Sequence, residues 1–132
     1  MNLEKFRPIN LTIGFPSISI TSNGVTFSKA AVVKLGMPKH VVLLLNEEEK
    51  QFAVMGANEG DDNATQFVRN KKTYSVRYNN KDFLNTLEKM MKWNLDEQGW
   101  KVSGDYYSEQ NLLVFDLLNG KPITGRETDG DE

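Results

Sequence analysis

Polar and apolar positions alternate across residues 17–21, where Ser17, Ser19 and Thr21 separate Ile18 from Ile20, and extended-type residues resume at Val25, Thr26 and Phe27 after Asn23-Gly24. A period of two interrupted by an Asn-Gly pair predicts a β-hairpin. Ser28 then stands where its hydroxyl can accept from a first-turn amide, so a helix of about two turns is predicted to run to Leu35, with Gly36 and Pro38 as its stop. The Val- and Leu-rich run from His40 to Leu45 reads as a buried strand. The polar stretch 46–50 turns the chain, and Phe52, Ala53, Val54 and Met55 return as the second arm of another hairpin.

Residues 58–65 collect Gly60, Asp61, Asp62 and Asn63 without periodicity, a turn-forming composition with too many charges to bury, and predict a loop between two halves. Beyond it, residues 73–78 are extended in type and Asn80 is placed to cap a helix. Phe83, Leu84, Leu87, Met90 and Met91 recur at a spacing that puts them on one helical face. Trp100, Val102 and Tyr106 keep a strand register, residues 108–111 make a turn, and residues 112–118 return as a mostly apolar strand. From Asn119 onward, glycines, Pro122 and four acids against two bases predict a flexible tail.

The order strand, Ser or Asn cap, helix, strand, polar turn, strand therefore occurs twice. The sequence predicts an α+β fold of two β-α-β-β halves in a single domain over 1–132: a first half over 9–57, a loop over 58–68, a second half over 69–118 and the tail over 119–132. Short helices would rest on small antiparallel sheets, related by a pseudo-twofold within one chain or completed by pairing with a second chain.

Composition narrows the chemistry. A 132-residue chain that is 39% hydrophobic and 26% charged is of ordinary globular make-up, and it has no apolar run near membrane-spanning length, so no membrane partner is expected. With no cysteine and a single histidine, His40, disulfides, thiolate nucleophiles and Cys- or His-pair metal sites are excluded. No signal-peptide pattern opens the chain, so a cytoplasmic location is expected. A net charge of −2 argues against a wholly basic nucleic-acid binder. No P-loop, GxGxxG, GxSxG or HExxH is present, the acids at 47–49 and 59–62 read as solvated turns, and the expectation is no enzyme, no metal and no cofactor.

The segment NGVTFSKAAVVKLGM, residues 23–37, resembles the core of the AbrB-type swapped-hairpin domain, over roughly residues 17–57. Phe27 matches the apolar site before the helix, Ser28 the usual proline, Lys29 the usual lysine, and Leu35-Gly36 the helix exit. The resemblance implies a swapped-hairpin barrel, an intertwined homodimer or its pseudo-dimeric single-chain equivalent, and DNA-binding transcription regulation. Where that family carries arginines near the first turn and on the helix, this sequence has Gly24, Val32 and Val33. The chain also resembles a set of bacterial proteins in which such a segment precedes a second β-α-β-β half, a resemblance that implies no activity.

Positive charge gathers elsewhere. Residues 69–81 hold Arg69, Lys71, Lys72, Arg77 and Lys81 with no acid, interleaved with Tyr74 and Tyr78, the composition of a strand that tracks phosphates and stacks on bases. Arg69, Lys71, Lys72, Tyr74, Arg77 and Lys81 are the predicted nucleic-acid-binding residues, with double-stranded DNA as partner. The competing expectation is a protein-interaction module, of antitoxin or phage type, that touches another protein and no nucleic acid.

Overall fold

The computed structural model describes residues 14–69 and 74–123. Among these residues nine antiparallel strands and two α-helices follow one another as β1 (Ser17–Thr21), β2 (Gly24–Phe27), α1 (Lys29–Lys34), β3 (His40–Asn46), β4 (Gln51–Ala57), β5 (Ala64–Gln66), β6 (Val76–Tyr78), α2 (Lys81–Met91), β7 (Trp100–Tyr107), β8 (Leu112–Asp116) and β9 (Lys121–Pro122). All strands belong to one curled, half-barrel sheet in the order β5-β3-β4-β8-β7-β1-β2-β6, with β9 paired to β7. The fold is α+β and sheet-rich. Three ladders that join distant parts of the chain hold it together: β4 to β8, from Gln51 opposite Asp116 to Met55 opposite Leu112; β1 to β7, from Ser17 opposite Ser103 to Ile20 opposite Trp100; and β2 to β6, from Val25 opposite Tyr78 to Phe27 opposite Val76.

Local chemistry explains the elements. The first hairpin turns through Ser22 and Asn23, with Thr21 opposite Gly24 and the Thr21 hydroxyl accepting from the Asn23 amide at 3.1 Å. Gly24 follows the turn at φ +136°, a conformation that favours glycine. Helix α1 ends as expected: Gly36 at φ +86° donates to Val33 O and Met37 donates to Val32 O, the paired bonds of a Schellman stop. In α2 the predicted stripe is the buried one, with Leu84, Leu87 and Met90 inside and Phe83 and Met91 packed at its margin.

Four expectations are corrected. The loop over 58–68 contains β5, which pairs Ala64, Thr65 and Gln66 with Val42, Val41 and His40. The strand over 112–118 stops at Asp116, whose carboxylate accepts from the Leu118 amide at 3.1 Å and starts a 3-10 turn over Leu117–Asn119. The tail over 119–132 begins as structure: Lys121 and Pro122 pair with Lys101 and Trp100, and the Gln98 side-chain amide donates to Ile123 O. Strand β3 is buried only at its start, since Val41 is fully covered while Leu44 and Leu45 are exposed. Residues 9–13, and the tail beyond residue 123, lie outside the described residues.

The core is contiguous and aromatic at its centre. The Phe27 ring meets Phe67 edge-on at 5.1 Å between centroids and has Phe52, Tyr78 and Phe115 within 6.2 Å. Helix α2 closes on it by setting Phe83 against Phe52 at 5.4 Å. No helix among the described residues is long and apolar enough to cross a membrane.

Candidate nucleic-acid interface

The basic residues are placed by what happens at the two ends of α1. At its start, the Ser28 hydroxyl accepts from the Ala31 amide at 3.1 Å and from the Ser17 amide at 3.0 Å, while Ser28 N donates to Ser17 O. One buried side chain thus caps the helix and fixes it to β1. Lys29, next in line, carries its ammonium 4.7 Å above the centre of the Tyr74 ring, a cation–π contact that fixes the approach to β6. At the other end, Asn111 donates through Nδ2 to Leu35 O at 2.9 Å and accepts from the Tyr106 hydroxyl, and the Lys34 ammonium lies 5.0 Å over the Tyr106 ring.

After the helix the chain passes beside the segment that follows β5. Phe67 N donates to Lys39 O at 2.8 Å and Val68 N to Pro38 O at 3.1 Å, which brings exposed Arg69 beside Lys39 and His40. A hollow of about 350 Å³ is lined there by Met37, Lys39, His40, Gln66, Val68 and Arg69. The same seam is where the two ends of the curled sheet meet. β5 and β6 share no ladder, and the Tyr78 hydroxyl of β6 donates to Gln66 O of β5 at 2.6 Å.

Tyr78 is half-buried at this seam. Burial pushes its phenol up to about 12, and the Arg69 charge acts in the opposite direction, so Arg69 stands within electrostatic reach of the tie. An unfolded tyrosine loses its proton near pH ~10, so the stability Tyr78 lends is complete below about pH 10 and is lost as the pH rises toward about 12. Unfolding midpoints in urea, measured across that window for the wild type and for Tyr78→Phe, should converge as the pH climbs. A gap that stayed constant would mean the phenol is not held neutral by the fold.

Arg77 lies on β6 next to Tyr78, exposed, opposite Thr26 of β2. Its stem crosses Gly24: a Cβ built on Gly24 would come within 3.0 Å of Arg77 Cγ and 2.7 Å of Tyr78 O. Only glycine leaves room for that crossing. The helix position Val32 is fully buried, so its apolar character belongs to the core.

Arg69 thus stands within electrostatic reach of Tyr78, Arg77 lies on the same strand as Tyr78 with its stem over Gly24 of β2, and Tyr74 lies under Lys29 just ahead of β6. Lys71 and Lys72 lie outside the described residues. Lys81 is set apart, at the first position of α2, where it lines a different hollow with Glu88 and Asp96. Lys39 joins Arg69 at the seam and Lys29 stands over Tyr74, although the sequence pattern selected neither lysine. Lys39 arrives only because residues 38–39 pair with residues 67–68, a contact with no local signature. Among the described residues no group of three or more His, Asp or Glu side chains is gathered to hold a metal ion. Comparison of the chain with protein-family models, curated proteins and solved structures finds no match.

Proposed function

We propose that this is a non-catalytic DNA-binding protein, a regulator of AbrB type folded from one chain, that holds duplex phosphates at the β5–β6 seam with Arg69 and Arg77, flanked by Lys29 and Lys39. The observation that carries the reading is that exposed Arg69 and Lys39 line one hollow at the seam, with exposed Arg77 on the adjoining strand β6, in a chain of net charge −2. Arg69, Arg77 and Lys39 are exposed or half-exposed, which leaves their side chains open to phosphate.

The strand order supports the AbrB-type part. Exchanging β1 with β5, β2 with β6, β3 with β7 and β4 with β8 returns the same neighbours, with the Tyr78–Gln66 hydrogen bond standing where β1 and β2 form a ladder. On this reading two interlocked halves of one chain do what two subunits do in a swapped-hairpin dimer. The arginine that the family sets near its first turn has a substitute, because the side chain of Arg77 reaches across Gly24 from the neighbouring strand.

Fluorescence anisotropy with a labelled random-sequence duplex tests this. Affinity should fall steeply between about 50 and 200 mM salt, and Arg69→Ala combined with Arg77→Ala should weaken binding uniformly across sequences and flatten the log–log salt slope by about 2. Lys81→Ala, from the separate hollow, should leave both unchanged. A wild-type chain that leaves the duplex unbound at about 50 mM salt would overturn the proposal and leave the protein-interaction module in its place.

A further inference from the structure

We infer that the outer edge of β3 takes up an extended segment of a partner protein as an added strand, with side chains that alternate between apolar and basic. Strand β3 is laddered to β4 along its whole length, from His40 opposite Ala57 to Asn46 opposite Gln51. On its other side β5 covers only His40, Val41 and Val42. The register would place Asn63 opposite Leu43, but Asn63 adopts φ +64° and the ladder stops. Along residues 43–46, alternate N–H and C=O groups therefore face away from β4, and no backbone hydrogen bond from a described residue meets them. An open edge of this kind is a template for strand addition.

The side chains beside that edge supply a socket. Leu43 and Leu45 share a face with Val41 and lie opposite Val54 and Phe52, both buried, yet Leu45 is 36% exposed. Among the described residues no further strand covers this inward-facing leucine. A hollow of about 470 Å³ adjoins it, lined by Leu43, Leu45, Phe52, Tyr78, Phe83 and Thr86 among others, within the size range of small binding sites.

The other half shows what occupies such a place. On β7 the ladder with β1 is prolonged by the chain's own preceding residue: Gly104 N donates to Pro16 O at 3.0 Å, in step with Ser103 opposite Ser17. Extended backbone thus continues along β7, whereas no described residue continues along the matching edge of β3. Charge selects the occupant further. Glu47, Glu48 and Glu49 continue directly from β3, and Glu59, Asp61 and Asp62 lead into Asn63, with Lys50 the only base in either stretch. A second copy of this chain would bring the same acids to the edge and be repelled, whereas a strand with lysine or arginine between its apolar residues is matched at both ends.

The probe is a short fluorescein-labelled peptide that alternates valine and leucine with lysine, titrated with the full chain. Saturable binding is expected. N-methylation of one alternate set of its peptide bonds should weaken binding by about tenfold or more, and N-methylation of the other set should leave it nearly unchanged, because only one set can face β3. Leu45→Glu should weaken the parent peptide by a similar factor, while Leu118→Glu, at an exposed site elsewhere, should not. Replacing the peptide's lysines with glutamate should abolish binding. The inference is overturned if the parent peptide fails to bind, if both methylated forms bind like the parent, or if the chain alone self-associates with amide protection at residues 43–46.

Discussion

Phe27→Ala lowers the unfolding free energy by about 3 to 5 kcal/mol, the largest loss expected from any single side chain here. Phe27 is 2% exposed, and its ring touches Phe52 of β4, Phe67 after β5, Tyr78 of β6 and Phe115 of β8. It is the point where strands from both halves meet. Removing the ring loses its transfer free energy and leaves a void that four neighbouring rings, three on strands and Phe67 just after β5, cannot collapse to fill. Domains of this size are stable by about 5–15 kcal/mol, so the variant should stand near the edge of folding. Urea titration reads the effect as a lower midpoint with an unchanged slope, and Leu118→Ala, at a 66% exposed position, should shift the midpoint by no more than about 0.5 kcal/mol. Equal shifts for the two variants would place the centre of the core elsewhere.

Ser28→Ala should cost about 2 to 3 kcal/mol, more than an N-cap usually contributes. The reason is that its hydroxyl serves two amides, Ala31 in the helix and Ser17 in β1, in a place water does not reach. Deleting it leaves both donors unpaired inside the protein. Asn80 provides the internal comparison, since it caps α2 through a single 3.0 Å bond to Phe83 N in an exposed setting, and Asn80→Ala should cost about 1 kcal/mol. Parallel denaturation of the two variants checks the ratio. Were they equal, the bond from Ser17 to Ser28 would carry no weight.

Much of this fold is written locally. The caps Ser28 and Asn80, the Gly36 stop, the apolar stripe of α2 and the three hairpins were each legible because the residues that decide them are neighbours in sequence. What escaped is non-local. β5 is three residues in a charged loop and β9 two residues in a polar tail, and both exist as strands only because β3 and β7 present them with an edge. The exposure of Leu44 and Leu45 escaped for the converse reason, since an apolar run announces a strand without saying whether anything will cover its far end. Of the basic residues, Arg69 and Arg77 belong to the run the pattern selects, but only the pairing of residues 38–39 with 67–68 brings Lys39 beside Arg69, and α2's own position sets Lys81 in a hollow with Glu88 and Asp96.

The long ladders also set the pace of folding. The three hairpins close over short turns and can form early, yet the sheet is complete only when β2 finds β6, β4 finds β8 and β1 finds β7, each across a large stretch of chain. Loop entropy must be overcome for each of these before any core contact rewards it, which places the chain among slow-folding, high-contact-order topologies that take milliseconds to seconds. During that interval the apolar run of β3 has neither β5 nor the core against it, and the like charges of Glu47, Glu48 and Glu49 at its end oppose the association of unfinished chains along it.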